Sequence, residues 1–240
     1  MSNYSCNKSE DLTNSLSAEE SSNLLSFEEY MEIYSRKSIE GSLLIEAHNQ
    51  MATSSLNHAH ITEKHSLEGK NSRINIMSKG KSILSEKSNI QEIPKSEILN
   101  MFGSEIQYSL GGLESRSSQS LSIPSLIQID MNSGTVGPGS VISWNVDPSN
   151  DHGVLLYATF TPSSQIDLFL AEQNLQSITR GIVLPDELGS YTITSEDLEI
   201  FPDNSIINVT VARGNTTTAT DKSPTVTGVS KSTASVQIDY

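Results

Sequence analysis

The segment Gly139–Phe160, GSVISWNVDPSNDHGVLLYATF, constrains the fold more than any other part of the chain. Ile142, Trp144 and Val146 alternate with polar residues, which is the period of a strand with one face in a core and the other in water. The following residues are rich in Pro, Asn, Asp and Gly, which favour a chain reversal, and a second extended run begins at Val154. The segment therefore predicts two strands joined by a turn, with the indole of Trp144 in the core.

Short extended runs separated by turn residues recur throughout residues 121–240. Seven or eight strands in roughly 120 residues are typical of an immunoglobulin-like β-sandwich, and Trp144 and Tyr157 are the expected core markers. The predicted strands are 126–131, 141–146, 154–160, 166–170, 178–184, 191–194, 206–212 and 234–240.

Residues 1–120 lack such clear alternation, and the sequence predicts a largely disordered N-terminal half with one or two short helices. Its four predicted segments are a disordered tether at 1–23, an amphipathic helix at 24–48, a disordered linker at 49–93, and a short helix with a connector at 94–120. The first helix is predicted because apolar residues at positions 27, 30, 31 and 34 fall on one helical face. Pro94 and Gly103 are placed to start and stop the second.

The net charge of the chain limits the classes of partner that it can bind. The sequence carries 29 acidic against 15 basic residues, a formal net charge of −14. Because so acidic a surface repels phosphate backbones, nucleic-acid binding is not expected. The sequence also lacks an apolar run of about 20 residues, the length that a membrane helix needs. A membrane-spanning helix is therefore not expected.

Two groups of residues could bind a metal ion. His58, His60 and His65 could hold Zn²⁺ or Cu²⁺ if they were ordered, but their predicted position in a flexible linker favours incidental histidines. Asp147 and Asp151 lie in an oxygen-rich turn and are weak candidates for calcium, since the turn lacks the dense carboxylate spacing of a dedicated site. The sequence therefore predicts no metal and no cofactor.

Catalytic patterns are also weak. Glu196, Asp197 and Glu199 crowd on one turn, whereas sugar hydrolysis needs two carboxyl groups at a set separation across a cleft. The sequence has serines in abundance but no Gly-x-Ser-x-Gly motif that would expose one as a nucleophile. The chain is therefore predicted not to be an enzyme.

The N-terminal region resembles the mature start of a bacterial lipoprotein. Cys6, the only cysteine, is followed by a polar, acidic, Ser- and Asn-rich run, and Lys8–Asp11 is similar to the surface-export signal of Bacteroidota lipoproteins. The resemblance implies that Cys6 carries the acyl chains and that the chain contacts a membrane only through this lipid anchor. It also implies that an apolar export segment is encoded upstream of Met1.

The C-terminal region resembles fibronectin type III and related immunoglobulin-like domains. Val141–Pro148 supplies a core Trp followed by a Pro-containing turn, Tyr157 follows in the next strand, and Ser190–Asn215 is similar to the late corner and long strand. The order of four short motifs is also similar to the terminal domain of uncharacterised Bacteroidota lipoproteins. Those motifs are Phe102–Gly103, Ile123–Leu126, Ser143–Asp147 and Arg213–Asn215.

Together these features predict a non-enzymatic lipoprotein of the bacterial outer membrane or cell surface, which presents a β-sandwich on a flexible tether to an unknown protein or glycan. A secreted or periplasmic location is the alternative. Two other functions remain open: a carbohydrate-binding or calcium-assisted adhesion module, and an accessory domain of a hydrolase system.

Overall fold

The computed structural model describes residues 42–51, 56–63, 74–85, 92–110, 118–131, 134–161, 177–217 and 225–239. Within these ranges the protein is mainly β and its sheets pack face to face around shared cores, which confirms the prediction of a mainly-β sandwich. No helix in these ranges is both long enough and apolar enough to cross a membrane.

The described strands and helices alternate irregularly along the chain. In order they are β1 (Ser42–Gln50), β2 (Leu56–Glu63), β3 (Ile74–Ser78), β4 (Lys81–Leu84), α1 (Lys95–Leu99), β5 (Ser104–Leu110), β6 (Gln119–Ile123), β7 (Ile129–Met131), β8 (Thr135–Val136), β9 (Val141–Trp144), β10 (Val154–Phe160), β11 (Ile178–Leu184), a 3-10 turn (Asp186–Leu188), β12 (Ser190–Thr192), α2 (Ser195–Leu198), β13 (Ile206–Thr216) and β14 (Thr225–Ile238).

The largest sheet, called the central sheet below, has the strand order β11-β10-β13-β14-β1-β2, and β8 pairs with the end of β14. β13 and β14 are its longest strands and run antiparallel along their whole paired length. β1 runs parallel to β14, with Ser42 opposite Thr225 and Gln50 opposite Thr233. The first described strand is therefore held by the last one.

Two smaller sheets cover the inner face of the central sheet. The β12-β9-β7 sheet encloses the C-terminal core, to which β13 and β14 contribute Val209, Val211 and Val236. The β4-β3-β5-β6 sheet encloses the N-terminal core, which includes Ile76 and Ile106. The central sheet is thus shared by two β-sandwich cores.

The two cores meet at a polar band in the middle of β13 and β14. The inner face of β14 is apolar near its start, at Val226, and again from Ala234 onward, but Ser230 and Ser232 lie between. Their Oγ atoms accept hydrogen bonds from the backbone N–H groups of residues 127 and 129, at 2.8 and 3.0 Å. We call this band the polar waist; its side chains are those of Ser125, Asp147, Asp186, Arg213, Ser230 and Ser232.

The predictions for the N-terminal half need correction. Residues 42–48 belong to β1 rather than to the helix predicted at 24–48, since Leu43, Ile45 and Ala47 are buried at alternate positions. The linker predicted at 49–93 contains β2, β3 and β4. β2 and β4 carry few apolar residues, so their period-2 pattern is weak, and β3 alternates over only five residues. Their pairing with β1 and β5 completes the sheets. The tether predicted at 1–23 and the aromatic positions 27–34 lie outside the described residues.

The short helix predicted from Pro94 is confirmed as α1, which follows Pro94 directly and ends before Gly103, a residue with a φ of +69°. The connector predicted after it is wrong, because β5 and the first two residues of β6 lie before residue 121. Ile106 and Tyr108 of β5 are buried in the N-terminal core. The proposed domain boundary at residue 121 therefore falls inside a strand, and residues 121–240 form only part of the folded unit.

The two aromatic markers have different positions. Trp144 is 5% exposed and lies in the C-terminal core, as predicted. Tyr157 lies on the opposite face of β10, beside the small outer cluster of Leu155, Ala212 and Val229, so its assignment to the same core is wrong. The reason is the strand period, because Leu156 and Phe160 face inward and Tyr157 must then face outward.

Candidate functional site

The polar waist contains a buried charge network centred on Arg213. This arginine is fully buried, and its Nη1 lies 3.3 Å from Asp186 Oδ2 and 3.8 Å from Asp147 Oδ2. Nη1 also donates to Ser125 Oγ at 3.2 Å, and Nη2 donates to the carbonyl oxygen of Asn145. One cation thus joins β13 to the 145–147 turn, to the 3-10 turn and to the segment that follows β6.

Asp186 is 1% exposed and has two further donors. The indole Nε1 of Trp144 donates to its Oδ1 at 3.1 Å, and Asn150 Nδ2 donates to its Oδ2 at 2.8 Å. Burial raises the pKa of Asp186, while the hydrogen bond from Asn150 and the Arg213 guanidinium act in the opposite direction. The Trp144 side chain, which lies in the C-terminal core, is therefore also hydrogen-bonded to the polar waist.

Asp147 is held in a different way. Burial alone would raise the pKa of its carboxyl, but hydrogen bonds from Ser149 and Ser125 outweigh burial and lower the pKa to about 2. The backbone N–H of Ser125 donates to Oδ2 at 2.6 Å, and the Ser149 hydroxyl donates to Oδ1 at 2.6 Å. Asp147 is therefore ionised at neutral pH and serves as an acceptor for neighbouring backbone and side chains.

This geometry disfavours Asp147 and Asp151 as calcium ligands. A cation bound at the Asp147 carboxylate would face the Arg213 guanidinium, whereas Asp151 is exposed and lies 3.7 Å from His152 Nε2. Within the described ranges, no group of three or more His, Cys, Asp or Glu side chains is arranged to hold a metal ion. Cys6, the lipidation candidate, lies outside those ranges. His65, the third member of the histidine group predicted from the sequence, also lies outside them.

A cavity of about 420 Å³ opens between the sheets of the C-terminal sandwich. Its apolar lining comes from both sheets and from α2, as inward-facing residues of β9, β10 and β13 line it together with Ile193 and Leu198. Such a volume and lining are typical of a small-molecule site. The apolar residues that line it are Ile142, Leu156, Ala158, Ile182, Ile193, Leu198, Ile207 and Val209.

The polar rim of the cavity is formed by Arg180, Tyr191 and Asp197. The phenol of Tyr191 donates to Asp197 Oδ2 at 2.8 Å, and Arg180 Nε lies 3.9 Å from Asp197 Oδ1. Burial, followed by the hydrogen bond to the Asp197 carboxylate, raises the pKa of Tyr191 to about 12. The phenol therefore stays neutral at physiological pH, and the charges of Arg180 and Asp197 compensate each other.

Asp197 caps the start of α2, whereas the sequence alone placed it only on a turn. Its Oδ2 accepts the backbone N–H of Thr194 at 2.8 Å, and Thr194 Oγ1 accepts the N–H of Asp197, which forms a capping box at the start of α2. The acidic run at 196–199 is thus a helix cap plus exposed neighbours. Of the three carboxylates considered for sugar hydrolysis, only Asp197 lines the cavity.

Sequence reasoning missed Arg180, Tyr191 and Arg213. A signal existed for Arg213, since an arginine that continues the apolar alternation of the VTVARGN run must be buried with its charge. Its partners could not be found in this way because Asp147 and Asp186 are far from it in sequence. For Arg180 and Tyr191 the sequence offered no comparable signal.

Aromatic side chains do not form an open platform in the described part of the chain. The large apolar side chains exposed there are Met51, Met77, Val141, Val146, Leu188, Ile200 and Ile206, and none is aromatic. Stacking of a sugar ring needs an accessible aromatic face, so the described surface offers no support for the carbohydrate-binding alternative.

A comparison of the chain with protein-family models gave no match, and a comparison with curated protein sequences gave none either.

Proposed function

We propose that this chain is a non-enzymatic binding protein of the bacterial cell surface, with the cavity of the C-terminal sandwich as its ligand site. The observation that carries the proposal is the combination of an apolar lining with a rim of Arg180, Tyr191 and Asp197. An apolar interior with a few convergent polar groups is the usual construction of a small-molecule site.

The rim favours binding over catalysis. Asp197 is engaged by the Thr194 backbone and by the Tyr191 phenol, and the raised pKa of Tyr191 makes it a poor acid or base near neutral pH. Because the charges of Arg180 and Asp197 compensate each other, the fitting ligand is uncharged, with an apolar body and one hydrogen-bonding group. Ligand identity within this class is set by the rim.

The binding site can be tested with phenylnaphthylamine, an uncharged apolar fluorophore whose emission rises in apolar surroundings. The wild-type chain should bind it saturably with one site. Ala158 lines the cavity, so Ala158→Phe should fill the space and abolish the signal. Thr159 is its neighbour on the other face of β10, and Thr159→Phe serves as the matched control.

Two results would contradict the cavity as a binding site. The first is a wild-type chain without saturable binding. The second is equal affinity in Ala158→Phe and wild type, provided that circular dichroism shows both to be folded. Loss of binding in Thr159→Phe alone would place the probe on the outer face instead.

We also propose that acylated Cys6 holds the protein at the outer membrane, with secretion or a periplasmic location as the alternative. Support comes from the position of the sole cysteine and the acidic run after it. Two acyl chains give stable anchoring where one does not. Bacteria that express the gene with its natural upstream sequence should incorporate an alkyne fatty acid into wild type but not into Cys6→Ser. An unlabelled wild-type protein would overturn this part of the proposal.

A further inference from the structure

We infer that the outer face of the central sheet carries a binding site for a divalent late transition metal, with His48 of β1 and His58 of β2 as its ligands. The two residues are directly opposite in the antiparallel β1–β2 pair. Side chains at such positions share one face of the sheet, with their Cβ atoms about 4.5–5.5 Å apart. From the sequence alone, these histidines could bind a metal only if they were ordered. His58 meets this condition because it lies in β2.

The neighbouring pair extends the same patch. Glu46 of β1 lies opposite His60 of β2, and alternate residues of a strand face the same side. His58 and His60 are both exposed, so a metal ion can reach them from solvent. The four side chains form a two-by-two array, in which the cross-strand imidazoles of His48 and His58 supply two nitrogen ligands and water completes the coordination.

A hydrogen bond with β14 orients the His48 ring. Its Nε2 lies 2.9 Å from Thr233 Oγ1 on β14, and Thr233 Oγ1 is in turn 2.9 Å from Thr210 Oγ1. Metal-binding histidines commonly donate their second ring N–H to such an oxygen, which fixes the tautomer. In the tautomer whose Nε2–H donates to Thr233, Nδ1 keeps the lone pair that a metal ion needs.

A positive charge lies beside the array and acts against it. Lys231 pairs with Glu46 at 3.5 Å and lies opposite His48 in the β1–β14 register, so its ammonium repels a bound cation. Among divalent metals, Cu²⁺ should bind most tightly, because it stands highest in the general affinity order for nitrogen and oxygen ligands.

The test is a calorimetric titration of the full chain with Cu²⁺ in a Cys6→Ser, His60→Ala, His65→Ala background, which removes the thiol and the two imidazoles that lie near the cross-strand pair in sequence. One Cu²⁺ should bind at pH 7. Adding His58→Ala should weaken binding by roughly tenfold or more, because a single imidazole remains of the cross-strand pair. His152→Ala, which removes a partly buried histidine of the 147–153 turn, is the matched control and should bind as the background does.

A second variant should change the Cu²⁺ affinity in the opposite direction. Lys231→Met removes the repelling charge and should tighten Cu²⁺ binding. Electron paramagnetic resonance should show two nitrogen ligands in the background protein and one in His58→Ala. A smaller loss of affinity in His58→Ala, an equal loss in His152→Ala, or a spectrum with the same nitrogen count in both proteins would overturn the inference.

Discussion

The two cores share one sheet and similar buried side chains, but they differ in how their strands are brought together. In the C-terminal core, β10 pairs with β11, which follows it in the chain, and β13 pairs with β14, the next strand after it. The N-terminal core also has pairs of successive strands, such as β1–β2 and β3–β4, but it joins the rest of the fold through the parallel pairing of β1 with β14, in which Ser42 lies opposite Thr225. Parallel strands require long connections, and distant pairing leaves little local trace in a sequence. The difference shows that a core can be well packed and still be hard to predict.

We expect the polar waist to stabilise the junction of the two cores. Arg213→Met should produce the largest loss of stability, about 3–5 kcal/mol, because Asp147 and Asp186 would stay buried without their cation. Urea denaturation followed by Trp144 fluorescence and by far-ultraviolet circular dichroism measures the loss. Arg180→Met is the control, because that arginine is half-exposed and its 3.9 Å ion pair contributes less than about 1 kcal/mol. A loss of that small size in Arg213→Met would refute the role of the waist.

A matched pair of cavity variants compares the cores directly. Ile106 of the N-terminal core and Ile142 of the C-terminal core are both fully buried, and replacing either by Ala should cost about 2–5 kcal/mol. If the shared strands make the protein one cooperative unit, both variants should shift the unfolding transition of Trp144, the only tryptophan. An Ile106→Ala protein with an unchanged Trp144 transition would show that the cores unfold separately.

Acid should act on the waist through Asp147. Because the folded-state pKa of about 2 lies below the ordinary value of 3.8, Asp147 stabilises the fold above pH 4 and loses this contribution as the pH falls towards 2. The loss is about 2 kcal/mol. Asp186 has the opposite sign, since its raised pKa means that protonation favours the folded state.

Denaturation curves between pH 6 and pH 2 would measure this contribution, with each pH series run on wild type and on Asp147→Asn. The variant should lose less stability than wild type over the acid part of the range. Parallel curves for the two proteins would contradict the assignment of the acid response to Asp147.

A smaller effect is expected where β14 passes β6. A Cβ added at Gly228 would lie 2.8 Å from two side-chain carbons of Ile123, so Gly228→Ala should cost about 1–3 kcal/mol through overpacking. Thermal unfolding measures the change. Gly134→Ala is the control, since nothing lies within 4 Å of its added Cβ. Adding Ile123→Ala to Gly228→Ala should cost less than the sum of the two single changes, and strict additivity would speak against the close contact.

The sequence predicts the C-terminal half better than the N-terminal half for reasons that particular residues make clear. The strand predicted at 178–184 is β11 without any change of its ends, and the burial of Trp144 follows from simple alternation. In the N-terminal half, β2 (LNHAHITE) has little apolar alternation, because His58 and His60 are polar. Its inward-facing Ile61 is buried because β2 pairs with β1. The predicted strand at 166–170 lies outside the described residues.

The candidate site shows the same limit. Asp197 and Leu198 could be placed on one turn from sequence, but Arg180 reaches the cavity rim from β11 and Tyr191 from β12. Their meeting depends on how two sheets are stacked, which local spacing does not encode. Asp147 could be read only as a turn residue, because its relation to Arg213 is a tertiary contact.

The parallel pairing of β1 with β14 has a mechanical consequence. A pull that reaches the folded unit through the chain before Ser42, directed along the strand, loads the backbone hydrogen bonds between these two strands side by side. Bonds loaded in shear must yield together, whereas bonds at a hairpin end peel one after another. The first and the last of the described strands are therefore joined by the geometry that best withstands traction.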